Sequence, residues 1–350
     1  MKIKISKDKI VRNSKYELLR FICSLMIIML HIKGHEKVPE NWLFANSQII
    51  CNLPVIMFMF LTGFFLVNSN KTRFWYILST IIIYYFLNLI IGYLIIYYDN
   101  LNHCYSTKDL FFGGRDWWYL WTLPIIYLLS PFINLSIKTI NKWYFINSLL
   151  IIYILFSFFS NLEYNIFGAG QLLFLIIIYC LGAWYKINFE QFGLKKIVFI
   201  LAIIFLFTLQ IINNLLFCFK NILLPITTSN FLSVLSTLAL FIIFQNIKIK
   251  QNIFLNYIGK LSLPIYLFHY LFEFIIMKNI MSNIDIDINL YPSLFLLIYW
   301  TICFLITFIF SLIILYPSNF LILNFNNFLL IIKNKILFIS EKIKKFNNEV

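Results

Sequence analysis

Tyr16-Glu17-Leu18-Leu19-Arg20-Phe21-Ile22-Cys23-Ser24-Leu25-Met26-Ile27-Ile28-Met29-Leu30-His31 is the stretch from which the rest of the chain can be read. It is apolar enough for a membrane helix, yet it holds an arginine and a histidine. Eleven helical steps of ~100° return almost to the same face, so Arg20 and His31 share a stripe ~16 Å apart along the axis. Ser24 and Ile27 lie between them on that stripe. An ionisable residue inside a membrane helix is costly, so it normally faces a bundle interior and marks a functional path.

Similar apolar runs recur to the end of the chain. Apolar residues make up 61% of the 350 residues and charged residues 12%, more apolar surface than one soluble core of this length can hide. The sequence predicts an all-α membrane protein, a bundle of about ten transmembrane helices. The expected spans are residues 16–33, 47–67, 74–98, 117–136, 143–161, 170–186, 196–217, 229–246, 261–279 and 291–316. Three regions follow: a basic cytoplasmic N-terminus (1–15), a transmembrane domain (16–316), and a cytoplasmic tail (317–350). Beyond Pro317, Asn324, Asn326, Asn327, Lys333 and Lys335 interrupt the apolar pattern. That suits a C-terminal amphipathic helix on the inner membrane surface better than an eleventh span. No cleavable signal peptide is expected, because the first apolar run lacks a small-residue cleavage site and contains Arg20.

The formal charge of +14 is explained by topology. With the N-terminus inside, 21 of the 28 lysines and arginines fall in cytoplasmic segments and six in outer loops, Arg20 being the remaining one. That asymmetry places both termini in the cytoplasm. The basic charge then faces anionic lipid, and no nucleic-acid partner is implied. The six cysteines show no CxxC and read mainly as buried small residues. No metal site is expected.

Three further groups could carry chemistry. Pro54 through Thr62-Gly63-Phe64 places a proline and a glycine in one span, where packing is their ordinary role. Arg115, Asp116, Trp117, Trp118 and Tyr119 close the longest outer loop. Such aromatics form an interfacial belt, and beside charges they also suit a sugar acceptor. Ser262, Tyr266, His269 and Glu273 follow 4, 3, 4 spacing and make one polar stripe on a late helix, suited to a helix–helix clamp or a catalytic site. Glu273 needs a partner if buried, and Arg20 and His31 are candidates by charge. Arg20 could equally pair with Glu17 or Tyr16. An arginine can hold phosphate or carboxylate by bidentate hydrogen bonds, and a neutral histidine can take a hydroxyl proton near pH 7.

Four ordered blocks between residues 13 and 316 resemble the acyltransferase-3 family of integral membrane acyltransferases. They are Leu18-Leu19-Arg20 with ten residues to His31; Pro54 through Thr62-Gly63-Phe64-Phe65; Trp117-Trp118-Tyr119-Leu120 through Ser130-Pro131 and Asn134; and Ile258-Gly259-Lys260-Leu261-Ser262 through Tyr266-Leu267-Phe268-His269. Thr62 stands where serine is common in the family, and residues 143–250 carry no matching motif. The resemblance implies a multi-pass enzyme of the plasma (inner) membrane. It would move an acyl group, often acetyl, from cytosolic acyl-CoA to a hydroxyl of an extracytoplasmic carbohydrate. On that implication Arg20 holds the CoA side of the donor and His31 acts at the acyl-transfer end. The residues themselves add a donor path along Ser24, Glu273 or His269 to orient His31, and an acceptor side at Arg115, Asp116, Trp117, Trp118 and Tyr119. Direct transfer and an acyl-histidine intermediate both fit. A transporter or flippase for a lipid-linked sugar would use the same spans and charges, and is the alternative.

Overall fold

The computed structural model describes residues 12–33, 47, 51–68, 74–99, 118–160, 169–189, 196–220, 231–279 and 291–349. Among them the chain is helical, with no strand. The long helices are α1 (Ser14–Lys33), α2 (Pro54–Leu66), α3 (Phe74–Asp99), α4 (Trp118–Thr139), α5 (Lys142–Ser160), α6 (Ala169–Asn188), α7 (Lys196–Lys220) and α8 (Phe231–Asn246). After them come the short α9 (Ile253–Ile258), a 3₁₀ turn (Gly259–Leu261), α10 (Ser262–Asn279) and α11 (Pro292–Glu349).

Each of the ten apolar segments overlies one of these helices. Five have the length and hydropathy to cross a bilayer by themselves: 74–94, 119–139, 171–188, 197–216 and 293–335. The others fall short for identifiable reasons. α2 has 13 residues, ~20 Å of helix against ~30 Å of hydrocarbon. α1 holds Glu17 and Arg20.

α1 runs through the middle of the packing. Leu19, Cys23 and Ile27 join a core shared with α2, α4, α6 and α10. Ile28, Met29 and Ile32 join a second core against α10 and α11. Trp300 of α11 donates its indole N–H to the Leu25 carbonyl (3.2 Å), the partner a buried indole requires.

The closest helix crossing is between α2 and α6, and two glycines make it possible. A Cβ on Gly63 would overlap the Tyr179 carbonyl, and a Cβ on Gly182 would overlap the Phe60 carbonyl. Each helix thus presses its backbone into a gap left by the other, as small residues allow in membrane bundles. α4 is fastened to both. Asn134 donates to the Leu66 carbonyl (3.3 Å) and accepts from the Tyr179 hydroxyl (2.9 Å). α7, by contrast, presents Ile200, Leu201, Ile204 and Phe207 outward, the pattern of a lipid-facing periphery.

The C-terminal region is helically continuous with the last expected span. No break separates a last span from a tail: α11 continues through Pro317 for 58 residues, ~87 Å at 1.5 Å per residue. Proline removes one backbone donor, and the next residue ties this part of the helix to α3. Ser318 donates to the Leu315 carbonyl (3.1 Å) and shares a hydrogen bond with Tyr84 of α3 (3.0 Å). Cys23, Cys51, Cys180 and Cys303 are buried, while Cys104 lies outside the described residues.

Gly63→Ala and Gly182→Ala should each cost ~1–3 kcal/mol, since the opposing atoms are backbone and cannot rotate away. A lowered thermal midpoint of the detergent-solubilised chain is the expected result.

Candidate active site

The site begins where α1 meets the α9–α10 connection. Asn252 caps α9, its side chain accepting from Phe254 N–H (2.8 Å) and Leu255 N–H (3.2 Å). Its own N–H donates to the Ser14 hydroxyl (2.8 Å), which donates to Asn256 Oδ1 (3.0 Å). One turn along, Gly259 leaves room for Glu17. A Cβ there would stand 2.5 Å from the Glu17 Cβ and Oε2.

Glu17 is 3% exposed and is shared by two guanidinium groups. Arg12 Nη1 lies 3.1 Å from Oε2 and Arg20 Nη1 lies 2.6 Å from Oε1. The arginines keep side-chain exposures of 44% and 28%. One carboxylate thus neutralises half of this charge, and Lys260 adds another cation nearby. Arg20 also stacks over Phe65, 5.4 Å from the ring centre, a contact that suits a planar cation.

Arg12, Arg20 and Lys260 line one cavity of about 610 Å³. Phe58 and Thr62 of α2, Tyr76, Thr80 and Tyr84 of α3, and Tyr119 of α4 form much of its wall, with Ser262 and Tyr266 of α10. Three cations and no carboxylate occur among its described lining residues, so the space favours an anion.

Aromatic rings lead from this cavity to the histidines. Phe58 lies 6.3 Å from Tyr119 between ring centres, Tyr119 5.8 Å from Tyr266, and Tyr266 6.1 Å from His269. His269 and His31 are 4.9 Å apart. The late stripe therefore faces the first-helix stripe, a relation the sequence leaves open. Neither histidine is among the cavity-lining residues, whereas Tyr266, next to His269, is.

His269 is 1% exposed. Its Nδ1 is 2.7 Å from the Tyr266 carbonyl. A carbonyl can only accept, so Nδ1 carries the hydrogen and Nε2 keeps its lone pair. Nε2 has no hydrogen-bond partner among the described residues. Glu273, one turn further along α10, is 2% exposed, and its backbone carbonyl accepts from the Tyr299 hydroxyl (3.0 Å). The Arg20 partner suggested for it is engaged by Glu17 instead.

Other expected site residues are placed differently. Ser24 is fully buried and donates to the Phe21 carbonyl of its own helix (2.7 Å). Ile27 is core, and neither residue lines the cavity. The open path follows α10 and α3, not the inner stripe of α1. Tyr119, expected with the acceptor-binding loop, is 5% exposed and on the cavity wall with Arg20. Trp118 opens α4. Arg115, Asp116 and Trp117 lie outside the described residues. The α3 wall went unread, although Tyr76, Thr80 and Tyr84 recur every four residues in an apolar helix.

Residues 13–316 match the family model described as an acyltransferase domain. The chain belongs to the acyltransferase-3 family. No curated protein and no solved structure matches it. Five membrane-length helices together with this family make it a multi-pass membrane protein, and the transporter reading is left without support.

Glu17→Gln would leave two arginines facing each other without a counter-charge. A stability loss of ~2–3 kcal/mol is expected, below the range for a fully buried pair because both guanidiniums reach solvent. A lower thermal midpoint, less marked when Arg12→Ala is added, is the corresponding measurement.

Proposed function

We propose that the chain transfers an acyl group, acetyl in the simplest case, from cytosolic acyl-CoA to a hydroxyl of an extracytoplasmic carbohydrate. The observation that carries this reading is the cavity itself. Its cationic end holds Arg12, Arg20 and Lys260, and Tyr266 on its wall lies one helical turn before His269, which meets His31. A donor with phosphates at one end and a thioester at the other has this same polarity.

In this mechanism the donor's phosphates meet Arg20, Arg12 and Lys260 through charge-assisted hydrogen bonds. The thioester passes the Tyr266 ring and comes to rest beside the histidines. His31 takes the proton from the acceptor hydroxyl as its oxygen attacks the thioester carbonyl. The tetrahedral intermediate collapses with cleavage of the carbon–sulfur bond, and the proton passes to the departing thiolate. His269, with Nδ1–H fixed on the Tyr266 carbonyl, can turn its Nε2 lone pair toward His31 and steady the imidazolium, the role a third group plays for any oriented base. The α10 face replaces the Ser24–Ile27 stripe as the donor path. Glu273 supports the far end of α10. Residues 115–118 remain the proposed acceptor side, Tyr119 belongs to the donor cavity, the plasma membrane is the proposed location, and both termini are proposed to lie in the cytoplasm. The bundle is proposed to cross the membrane ten times, with 317–350 as a cytoplasmic amphipathic region continuous with α11.

Two variants test the assignment in vesicles supplied with labelled acetyl-CoA. His31→Ala should lower transfer by at least 10²-fold, the ordinary contribution of a positioned base, with donor binding retained. Full activity would sink the assignment. Arg20→Ala should raise the donor KM about tenfold or more with a smaller change in kcat; a change confined to the acceptor's KM would contradict it.

A further inference from the structure

Ser262 stands out among the buried polar groups. It is 4% exposed, and its hydroxyl has no hydrogen-bond partner among the described residues. Ser236 and Ser311 share that condition but lie away from the cavity, whereas Ser262 is on its wall. Most hydroxyls in this bundle are satisfied by their own helix, as Ser24, Thr62, Ser79 and Thr80 show. A buried hydroxyl without a partner is destabilising, and on a cavity wall a ligand can offset that cost. The hydroxyl is closed off as it stands, so reaching a ligand takes a χ1 step to another staggered position.

Resting on the acyl-CoA reading above, we infer that Ser262 is a donor-binding residue that hydrogen-bonds the pantothenate part of the pantetheine arm. The register supports this assignment. Ser262 precedes His269 by seven residues, ~10 Å along the axis and on nearly the same face. An extended chain advances ~1.2 Å per bond. Starting from a sulfur beside the histidines, the pantothenate amide nitrogen and the neighbouring hydroxyl therefore lie roughly 8–11 Å back toward the cations. That is the level of Ser262. The cysteamine amide, at about half that distance, falls nearer Tyr266. The α10 stripe thus measures the arm: cations hold the phosphates, Ser262 the middle, and the histidines the thioester.

The experiment compares three donors on the detergent-purified full chain, with glycerol supplied as the acceptor hydroxyl and release of free thiol as the readout. Acetyl-CoA has phosphates and both amides. S-acetylpantetheine has both amides and no phosphate. S-acetyl-N-acetylcysteamine has neither the phosphates nor the pantothenate part. Ser262→Ala should raise KM for the first two donors about five- to tenfold, the loss of one hydrogen bond, and leave the third within twofold. Arg20→Ala should raise KM for acetyl-CoA alone. Ser262→Thr should restore the first two donors, and the thermal midpoint of Ser262→Ala should be equal to or above wild type, since an unpaired buried hydroxyl has been removed. Equal losses on all three donors, or no loss on S-acetylpantetheine, would overturn the assignment. A wild-type chain that releases thiol from none of them would overturn the acyl-CoA reading itself.

Discussion

The burial of Glu17 between Arg12 and Arg20 is the constraint on which the site depends. It fixes α1 against the 3₁₀ turn, because the carboxylate fits only over the bare Cα of Gly259. Once that register is set, His31 lies fourteen residues further along α1 and His269 ten residues beyond Gly259, and the two meet. A slip of one residue would turn either histidine by ~100°. The ion pair is thus more significant as a register device than as a source of stability, a use for which buried charges are known.

The site's parts are physically separated. Charge gathers at the end where Arg12, Arg20 and Lys260 meet the cavity; His269 is buried, and His31 beside it is half-buried. Burial around His269 strengthens electrostatic interactions among the groups there. The surplus cations stay partly solvated, where holding them is cheaper. Tyr119 and Tyr266, edge to face at 5.8 Å, mark the boundary between the two zones.

The helical layout was legible in the sequence because apolar periodicity and length report on each segment separately. The Arg20 and His31 stripe was legible for the same reason, as was the 4, 3, 4 stripe of α10. What the sequence leaves open depends on neighbours. Ser24 shares the stripe of Arg20, yet tight packing around it consumes its hydroxyl within the helix. Tyr119 reads as an interfacial aromatic, but α4 places it beside Phe58 and Tyr266. The apolar pattern changes after Pro317, yet α11 continues through it, with Ser318 held to Tyr84 of another helix. Gly259 carried the decisive clearance, and nothing local distinguishes a glycine that makes room for a carboxylate from one that ends a turn.

The excess of guanidinium and ammonium groups over carboxylates at the cavity mouth has a kinetic consequence. In the proposed reaction the phosphates lie far from the bond that breaks, so they are unchanged when the thioester becomes a thiol. Contacts to them bind substrate, transition state and spent carrier alike, which aids capture but does not speed the chemistry. The spent carrier is therefore a competitor of comparable affinity. The rate in a cell would follow the ratio of acylated to free carrier more closely than the concentration of either, making the chain responsive to the cell's acyl supply without a separate regulatory site.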